Sequence, residues 1–162
     1  HPTEFLGWPC GEAQGRRGSW LGSDFHYCLL VEGDIGRKRG GAFQAAAADG
    51  CHHTIVIGAD IPGITPRLLK EAFHLLQSHG AVLGPASDGG YYLIGLNTGN
   101  LPARIGGLFE GIAWGSSVVF DQTLAAAAAL GLSMGRLPVL QDIDRPQDLA
   151  IWEKIRQTRA ER

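Results

Sequence analysis

The chain has 162 residues, of which 44% are hydrophobic, and this is enough apolar side chain for one globular domain with its own core. Its 14 basic and 16 acidic residues give a net charge of −2 and are scattered along the sequence. This distribution argues against the basic patch of a nucleic-acid-binding protein and against a polybasic, membrane-surface segment. No apolar run approaches the roughly 20 residues that cross a bilayer.

The cysteine content gives a further expectation about the environment of the protein. The three cysteines, Cys10, Cys28 and Cys51, are odd in number and irregularly spaced. This pattern argues against a disulfide framework and against a zinc site, and it is typical of a reducing compartment. We therefore expect a cytoplasmic protein. The chain opens at His1 without an initiator methionine, which is consistent with a natural start further upstream.

Residues 5–8 and 27–31 are candidates for short strands, and the first clear helix pattern is the alanine-rich segment 37–49, which ends at Gly50. Asp34 precedes this helix and allows two interpretations. An aspartate in this position usually caps the helix, and composition favours that role. Alternatively, Asp34 and the backbone of Gly36 lie at a nucleotide site.

The central stretch of the chain predicts a strand, a helix and a second strand. Residues 54–57 are β-branched and are predicted to form a buried strand, and Asp60 follows at the sheet edge where ligands gather in α/β proteins. Thr65 and Pro66 are typical of a helix start. The buried stripe of this helix is predicted to comprise Leu68, Leu69, Ala72, Phe73, Leu75 and Leu76. Residues 81–83 form the next strand, in a parallel crossover.

The rest of the chain continues this α/β pattern. A glycine-rich turn at 84–90 contains Asp88 and leads into a strand at 91–96, so Asp88 is expected on the same rim of the sheet as Asp60. A helix is predicted at 116–130, a late strand at 132–137 and a final helix at 146–157. No linker divides the sequence, and we interpret residues 1–162 as a single domain.

Four carboxylates follow apolar runs and are candidates for chemistry. Asp60, Asp88, Asp142 and Asp144 lie in or beside turns. Mg²⁺ or Mn²⁺ prefers such oxygen ligands together with diphosphate oxygens, and the ion would neutralise charge on a leaving nucleoside diphosphate. Aspartate is also common in turns for local reasons, so each of these residues taken alone is more often structural.

Five segments taken together are more specific than any one carboxylate. They are GDIG at 33–36, IGADIPGITP at 57–66, GPASDGGYYLIGL at 84–96, WGSS at 114–117 and DIDRPQDL at 142–149. In this order, over about residues 32–152, they resemble a small GT-A-type glycosyltransferase-like family, a domain of unknown function linked to arsenosugar biosynthesis and related to the molybdopterin-guanine and phospholactate nucleotidyltransferases. The resemblance implies an α/β, Rossmann-like three-layer GT-A-type fold, with a mostly parallel central sheet and one antiparallel strand.

The resemblance also implies roles for the carboxylates. Asp60 takes the position of the metal-binding aspartate after the central strand. Asp142 or Asp144 takes that of a late carboxylate that completes the site for Mg²⁺ or Mn²⁺, and we expect Asp142 to reach the metal and Asp144 to cap the final helix. Asp88 would face the acceptor or the sugar and could act as a general base.

The remaining candidates are implied to bind the nucleotide sugar or the acceptor. Gly89 and Gly90 would supply flexible backbone beside Asp88. Asp34 and Gly36 are the candidates at the nucleotide. Trp114 would form the far wall of the acceptor pocket, and a core tryptophan that anchors a loop on the sheet is an equally good interpretation.

The chain departs from the family in one respect. Family members begin with a strand and a glycine-rich, basic loop that holds the nucleotide, and the nearest basic clusters here, Arg16 with Arg17 and residues 37–39, do not follow a buried strand convincingly. Either the first βα unit is missing or donor binding has been abandoned. A missing unit would leave an exposed sheet edge, which predicts a homodimer through that edge.

Three functions follow from these observations. The leading one is a metal-dependent glycosyltransferase that uses a nucleotide-sugar donor and a small-molecule acceptor. The closest alternative is a nucleotidyltransferase acting on a phosphorylated small molecule, although the few basic groups near the motifs favour a diphosphate sugar over a triphosphate. The third is a noncatalytic binding or assembly module with the same fold.

Overall fold

The computed structural model describes residues 32–58, 61, 63–100 and 105–141. The main elements in chain order are α1 (Ile35–Ala48), β1 (His53–Ile57), α2 (Pro66–Leu76), β2 (Ala81–Pro85), β3 (Tyr91–Asn97), α3 (Val119–Ala129) and β4 (Met134–Arg136). Short 3₁₀ turns occur at Thr98–Asn100 and Ile105–Leu108. The strands expected at 5–8 and 27–31, the final helix, and Asp60, Asp142 and Asp144 lie outside the described residues.

The four strands form one mixed sheet in the order β1-β3-β2-β4. Both β1 and β2 pair with β3 in antiparallel fashion, and β4 pairs with β2 in parallel. Strands β1 and β2 therefore run in the same direction, as the crossover prediction required, but β3 lies between them. Because β3 is internal, two of the three neighbouring pairs in the described sheet are antiparallel. Among the four described strands β3 alone runs against the others, and the mostly parallel character of the sheet stays a prediction.

Helices cover both faces of this sheet. All five residues of β2 and six of the seven in β3 are buried, as expected for strands packed on two sides. Successive side chains point to opposite faces, so Leu83 joins a cluster with Phe43 of α1 and Val119 of α3, whereas Val82 joins one with Ala72 and Leu76 of α2. The sheet is thus the middle of three layers.

Helix α2 begins as the sequence predicts and buries a narrower stripe than expected. Thr65 Oγ1 accepts a hydrogen bond from Leu68 N at 3.2 Å, and Pro66 is the first helical residue. The buried positions are Leu68, Ala72 and Leu76, at a spacing of four. Phe73 is 39% exposed, so its placement in the buried stripe was wrong, because it lies about 100° around the helix from Ala72.

The carboxyl ends of β1, β2 and β4 meet at one edge of the sheet, which we call the carboxyl edge. After β4 the chain continues to this edge, where Leu140 N donates to Pro85 O at 3.0 Å and Ser87 N donates to Leu140 O at 3.0 Å. The loop after β1 reaches the same place, since a Cβ atom on Gly63 would lie 3.2 Å from the Leu140 side chain. Segments from β1, β2 and β4 therefore meet there.

The ring of Tyr92 packs directly on the backbone of β2. A Cβ atom on Gly84 would lie 2.4 Å from Tyr92 Cζ, so only glycine fits at that position. The phenol donates to Pro138 O at 2.9 Å. Burial, and to a smaller extent the Glu71 carboxylate, raises the pKa of Tyr92 to about 12. The neutral phenol is therefore the form that the fold stabilises.

We predict that Tyr92→Phe lowers the free energy of unfolding by about 1 kcal/mol at neutral pH, because the Pro138 carbonyl loses its donor. The folded pKa of about 12 exceeds the ordinary value of 10.0, so the stabilising contribution is complete below pH 10.0 and is lost as the pH rises through 12. Urea unfolding across this range should show a steeper loss of stability for the wild type than for Tyr92→Phe. Parallel curves would contradict the assignment.

Candidate functional site

Helix α1 begins at a capping aspartate. Asp34 Oδ1 accepts a hydrogen bond from Arg37 N at 2.8 Å, which confirms the capping interpretation and starts the helix at Ile35, two residues earlier than the alanine-rich pattern suggests. The rest of the Asp34 side chain is exposed. Capping therefore leaves the carboxylate available at the surface beside the first turn of the helix.

The first turn of α1 packs closely on residues 109–114. A Cβ atom on Gly36 would lie 2.7 Å from Phe109 O and 3.0 Å from Trp114 Nε1, so no other residue fits without a shift. Glycine inside a helix costs about 1 kcal/mol relative to alanine, and this close approach accounts for it. One turn later, a Cβ atom on Gly40 would make only an ordinary contact, 3.5 Å from Phe109 Cδ2.

Arg39 lies against two aromatic rings on the same side of α1. Its guanidinium carbon is 4.7 Å from the centroid of the Tyr91 ring and 4.9 Å from that of Trp114. The two rings meet edge to face with centroids 6.4 Å apart. Among the described residues, no carboxylate pairs with Arg39, so cation–π contacts of about 0.5–1 kcal/mol each hold it. The sequence identified residues 37–39 only as a basic cluster, because nothing local shows this contact.

Tyr91 carries a buried polar atom beside this stack. Its Oη has no hydrogen-bond partner in the described part of the chain. Burial raises the pKa of the Tyr91 phenol, while the Arg39 cation and the nearby Thr123 hydroxyl oppose that change. Thr123 Oγ1 already donates its proton to Val119 O at 2.8 Å. The phenol is thus held neutral next to the Arg39 cation.

The turn that contains Asp88 is held from two sides. Within the turn, Asp88 Oδ1 accepts a hydrogen bond from Gly90 N at 2.8 Å. On the outside, Gly89 O accepts from Phe120 N at 2.9 Å, and a Cβ atom on Gly89 would overlap Ser117 O at 2.1 Å. Gly89 also has a φ angle of 91°, so glycine is required there for two independent reasons.

Three of the predicted site residues come together in one cavity, which we call the α1 groove. Asp34, Gly36 and Trp114 line it, and its volume is about 560 Å³. Its lining comes from two segments of the chain. The first supplies Glu32, Asp34, Gly36, Arg37, Gly40, Gly41 and Gln44, and the second supplies Gly106, Phe109, Glu110, Gly111, Ile112 and Trp114. Trp114 is half-buried: it packs on the fold and also lines this cavity, and its role at an acceptor stays a prediction.

The Asp88 turn lies outside the α1 groove but next to it. Asp88 is exposed at the carboxyl edge, and Tyr91, whose ring contacts Trp114, follows Gly90 directly in the chain. No cluster of three or more His, Cys, Asp or Glu side chains that could hold a metal occurs within the described ranges. The predicted ligands Asp60, Asp142 and Asp144 lie outside those ranges. No helix in the described ranges is long and apolar enough to span a membrane.

The mixed sheet with helices on both faces makes this an α/β protein. Its fold is similar to that of the crystal structure of a "putative nucleotide-diphospho-sugar transferase" from Desulfovibrio desulfuricans G20, with 30% sequence identity and a TM-score of 0.79. The match covers 87% of this chain and 60% of that one, so the chain spans about 60% of the length of that protein.

The chain belongs to the family described as "Uncharacterized protein conserved in bacteria (DUF2064)", whose model matches residues 6–116, more than half of the sequence. A search of curated proteins finds no match. The family and the similar structure support the glycosyltransferase-like fold inferred from the five motifs. The more specific link to arsenosugar biosynthesis stays a prediction.

We predict opposite effects for two glycine substitutions in α1. Gly36→Ala should lower the free energy of unfolding by about 1–3 kcal/mol, because the new methyl group overlaps Phe109 O and displaces Trp114. Gly40→Ala should leave stability unchanged or raise it by up to about 1 kcal/mol, since the methyl group fits and alanine favours the helix. Urea unfolding and near-ultraviolet circular dichroism measure both effects. Equal stabilities would show that the contact at Gly36 is not tight.

Proposed function

We propose that the protein is a metal-dependent glycosyltransferase that moves a sugar from a nucleotide-diphospho-sugar to a small-molecule acceptor. The observation that carries this proposal is the meeting of three segments at the carboxyl edge. Gly63, Leu140 and the Asp88 turn converge there. In open α/β sheets this edge is where ligands bind. The similarity to a structure named as a nucleotide-diphospho-sugar transferase supports the same assignment.

The residues that would hold a metal follow from this meeting point. Asp60 precedes Gly63 by three positions in the sequence, and Asp142 follows Leu140 by two. Because a few residues of chain span at most about 10 Å, these carboxylates are expected to reach one another across the contact between Gly63 and Leu140. Two aspartates with diphosphate oxygens form a donor set that suits Mg²⁺ or Mn²⁺. Asp144 is the alternative second ligand.

A bound Mg²⁺ or Mn²⁺ would supply positive charge at the leaving nucleoside diphosphate. The protein's own contribution is to position an acceptor and to take its proton. Asp88 Oδ1 accepts the hydrogen bond from Gly90 N, whereas no described residue donates to Oδ2, which leaves that oxygen to act as a base. The acceptor oxygen would bond to the anomeric carbon as the bond to the diphosphate breaks, and its proton would pass to Asp88.

We predict that a nucleotide sugar raises the unfolding temperature of the wild type only in the presence of Mn²⁺. At about 100 times its dissociation constant, such a ligand adds roughly 2.7 kcal/mol to the free energy of unfolding. Asp60→Asn should abolish this shift. Asp49→Asn is the matched control, because Asp49 is exposed at the end of α1 and precedes the amino end of β1, at the opposite edge of the sheet.

The panel should also include nucleoside diphosphates and triphosphates. If a nucleoside triphosphate stabilises the protein more than every nucleotide sugar does, nucleotidyl transfer is favoured over glycosyl transfer. No stabilisation by any nucleotide would favour a noncatalytic module with this fold. Loss of the shift in Asp49→Asn as well as in Asp60→Asn would show that the effect is not specific to the carboxyl edge.

We predict that two substitutions of Asp88 distinguish its structural role in the turn from its proposed role as the base. Asn keeps an oxygen that accepts the hydrogen bond from Gly90 N, so Asp88→Asn should unfold within about 0.5 kcal/mol of the wild type. Asp88→Ala should lose about 1 kcal/mol. Sugar transfer should fall at least about 100-fold in both variants if the carboxylate is the base. Full activity in a stably folded Asp88→Asn variant would show that Asp88 stabilises the turn and is not the base.

A further inference from the structure

We propose that the α1 groove is the acceptor site and that it selects a small, hydroxyl-rich molecule that carries no phosphate or carboxylate group. This inference rests on the proposed function, which requires an acceptor site beside Asp88. The groove volume of about 560 Å³ lies within the range of about 300–1,000 Å³ that is typical of small-molecule sites. The backbone of Gly36 and Gly40 forms part of its wall.

The charges of the groove decide which ligands it can hold. Among the described residues that line it, Glu32, Asp34 and Glu110 are acidic and Arg37 is basic, so these lining side chains carry a formal charge of −2. The Arg39 guanidinium contacts the Trp114 ring from outside this lining. Glu32 and Glu110 are exposed, so their carboxylates are free to turn toward a bound molecule. Like-charge approach weakens binding and suppresses wrong partners. A phosphate group would therefore meet net repulsion in the groove, and a neutral molecule would not.

The hydrogen-bonding groups of the groove match hydroxyls. A carboxylate accepts hydrogen bonds and cannot donate them, whereas a hydroxyl group both donates and accepts. Trp114 supplies the complementary donor, because its Nε1–H donates to no residue within the described ranges and lies beside Gly36. The indole also offers apolar surface to the carbon skeleton of a ligand. Sugars and other polyols combine all three features.

The groove is also suitably placed for transfer. Trp114 lines it and contacts the ring of Tyr91, the first residue of β3. Tyr91 comes directly after the turn that holds Asp88 at the carboxyl edge. A polyol bound against Trp114 is thus separated by the Tyr91 ring from the start of β3, which directly follows the turn that contains the proposed base. A donor diphosphate belongs at the carboxyl edge, and the negative groove disfavours the interpretation that Asp34 and Gly36 contact its phosphates.

The test compares matched pairs of neutral and phosphorylated polyols on the intact chain at low ionic strength. Suitable pairs are glucose and glucose 6-phosphate, ribose and ribose 5-phosphate, and glycerol and glycerol 3-phosphate. Saturation-transfer nuclear magnetic resonance and calorimetry measure their dissociation constants. We expect at least one neutral member to bind at millimolar concentration, and at least about tenfold more tightly than its phosphorylated partner. Tighter binding of a phosphorylated member, or no binding by any neutral member, would overturn the proposal.

Two charge reversals locate the binding site. Glu110→Lys changes the formal charge of the groove from −2 to zero and should reduce the preference for neutral polyols at least about fivefold. Glu71→Lys makes the same change on α2, which packs against the other face of the sheet, and should leave the preference unaltered. An equal response of the two variants, or none in Glu110→Lys, would place binding elsewhere and refute the proposal.

Failure of the acceptor-site proposal can be distinguished from failure of the proposed function. Nucleotide-sugar stabilisation depends on Asp60 and should be retained in Glu110→Lys. Metal-dependent stabilisation by a nucleotide sugar, without a preference for neutral polyols, would support the transferase and refute the assignment of the α1 groove as its acceptor site. Polyol binding in the groove without any response to nucleotide sugars would support this ligand class and reject glycosyl transfer.

Discussion

The contact of Arg39 with the rings of Tyr91 and Trp114 joins three parts of the chain that are far apart in sequence. Arg39 comes from α1, Tyr91 starts β3, and Trp114 ends the segment that follows Ile105–Leu108. The rings also contact each other edge to face, which adds about 0.5–1.5 kcal/mol beyond the area they bury. This contact, together with the hydrogen bond from Phe120 N to Gly89 O, helps to fix the α1 groove relative to the Asp88 turn.

Three glycines constrain the packing of the fold. At these positions the missing side chain allows close contact with the backbone, and flexibility is not the reason for glycine. Gly36 admits Phe109 O and Trp114 against α1, and Gly84 admits the ring of Tyr92 against β2. Gly89 combines a positive φ angle with a contact to Ser117 O. A glycine-rich motif is often understood as flexible backbone that adapts to a ligand. In this fold the same glycines allow elements to pack closely, which makes the surfaces beside them well defined.

Features that depend on neighbours in the sequence could be predicted. Asp34 and Thr65 cap helices by bonding to backbone groups three residues later, and β2 and β3 are runs of apolar residues bounded by turns. Features that depend on distant pairing could not. Nothing local shows that β3 lies between β1 and β2, and the exposure of Phe73 follows from which stripe of α2 the sheet covers. Arg39 was invisible as a site residue because its aromatic partners lie about 50 and 75 positions away along the chain.

The sequence pointed to three of the residues that line the candidate site but did not show the charge of that site. The motifs pointed to Asp34, Gly36 and Trp114, and the structure brings these three residues to a single groove. The charges of that groove emerge only when Glu32 and Glu110 join them, and these two residues belong to segments that the motifs did not mark as functional. Asp88 was expected at the rim of the sheet, and it is there, within a turn that its own side chain stabilises.

The carboxyl edge and the α1 groove differ in the charge of the ligand that each would bind. This difference argues that the donor binds at the carboxyl edge and the acceptor in the groove. A diphosphate needs positive charge, and a metal held by aspartates would supply it at the carboxyl edge. The α1 groove carries a formal charge of −2, so an anionic donor is directed away from it. If donor and acceptor are sorted by charge in this way, Asp88 lies where the two substrates would meet. The acceptor hydroxyl would then reach the sugar without competition from phosphate groups for the same pocket.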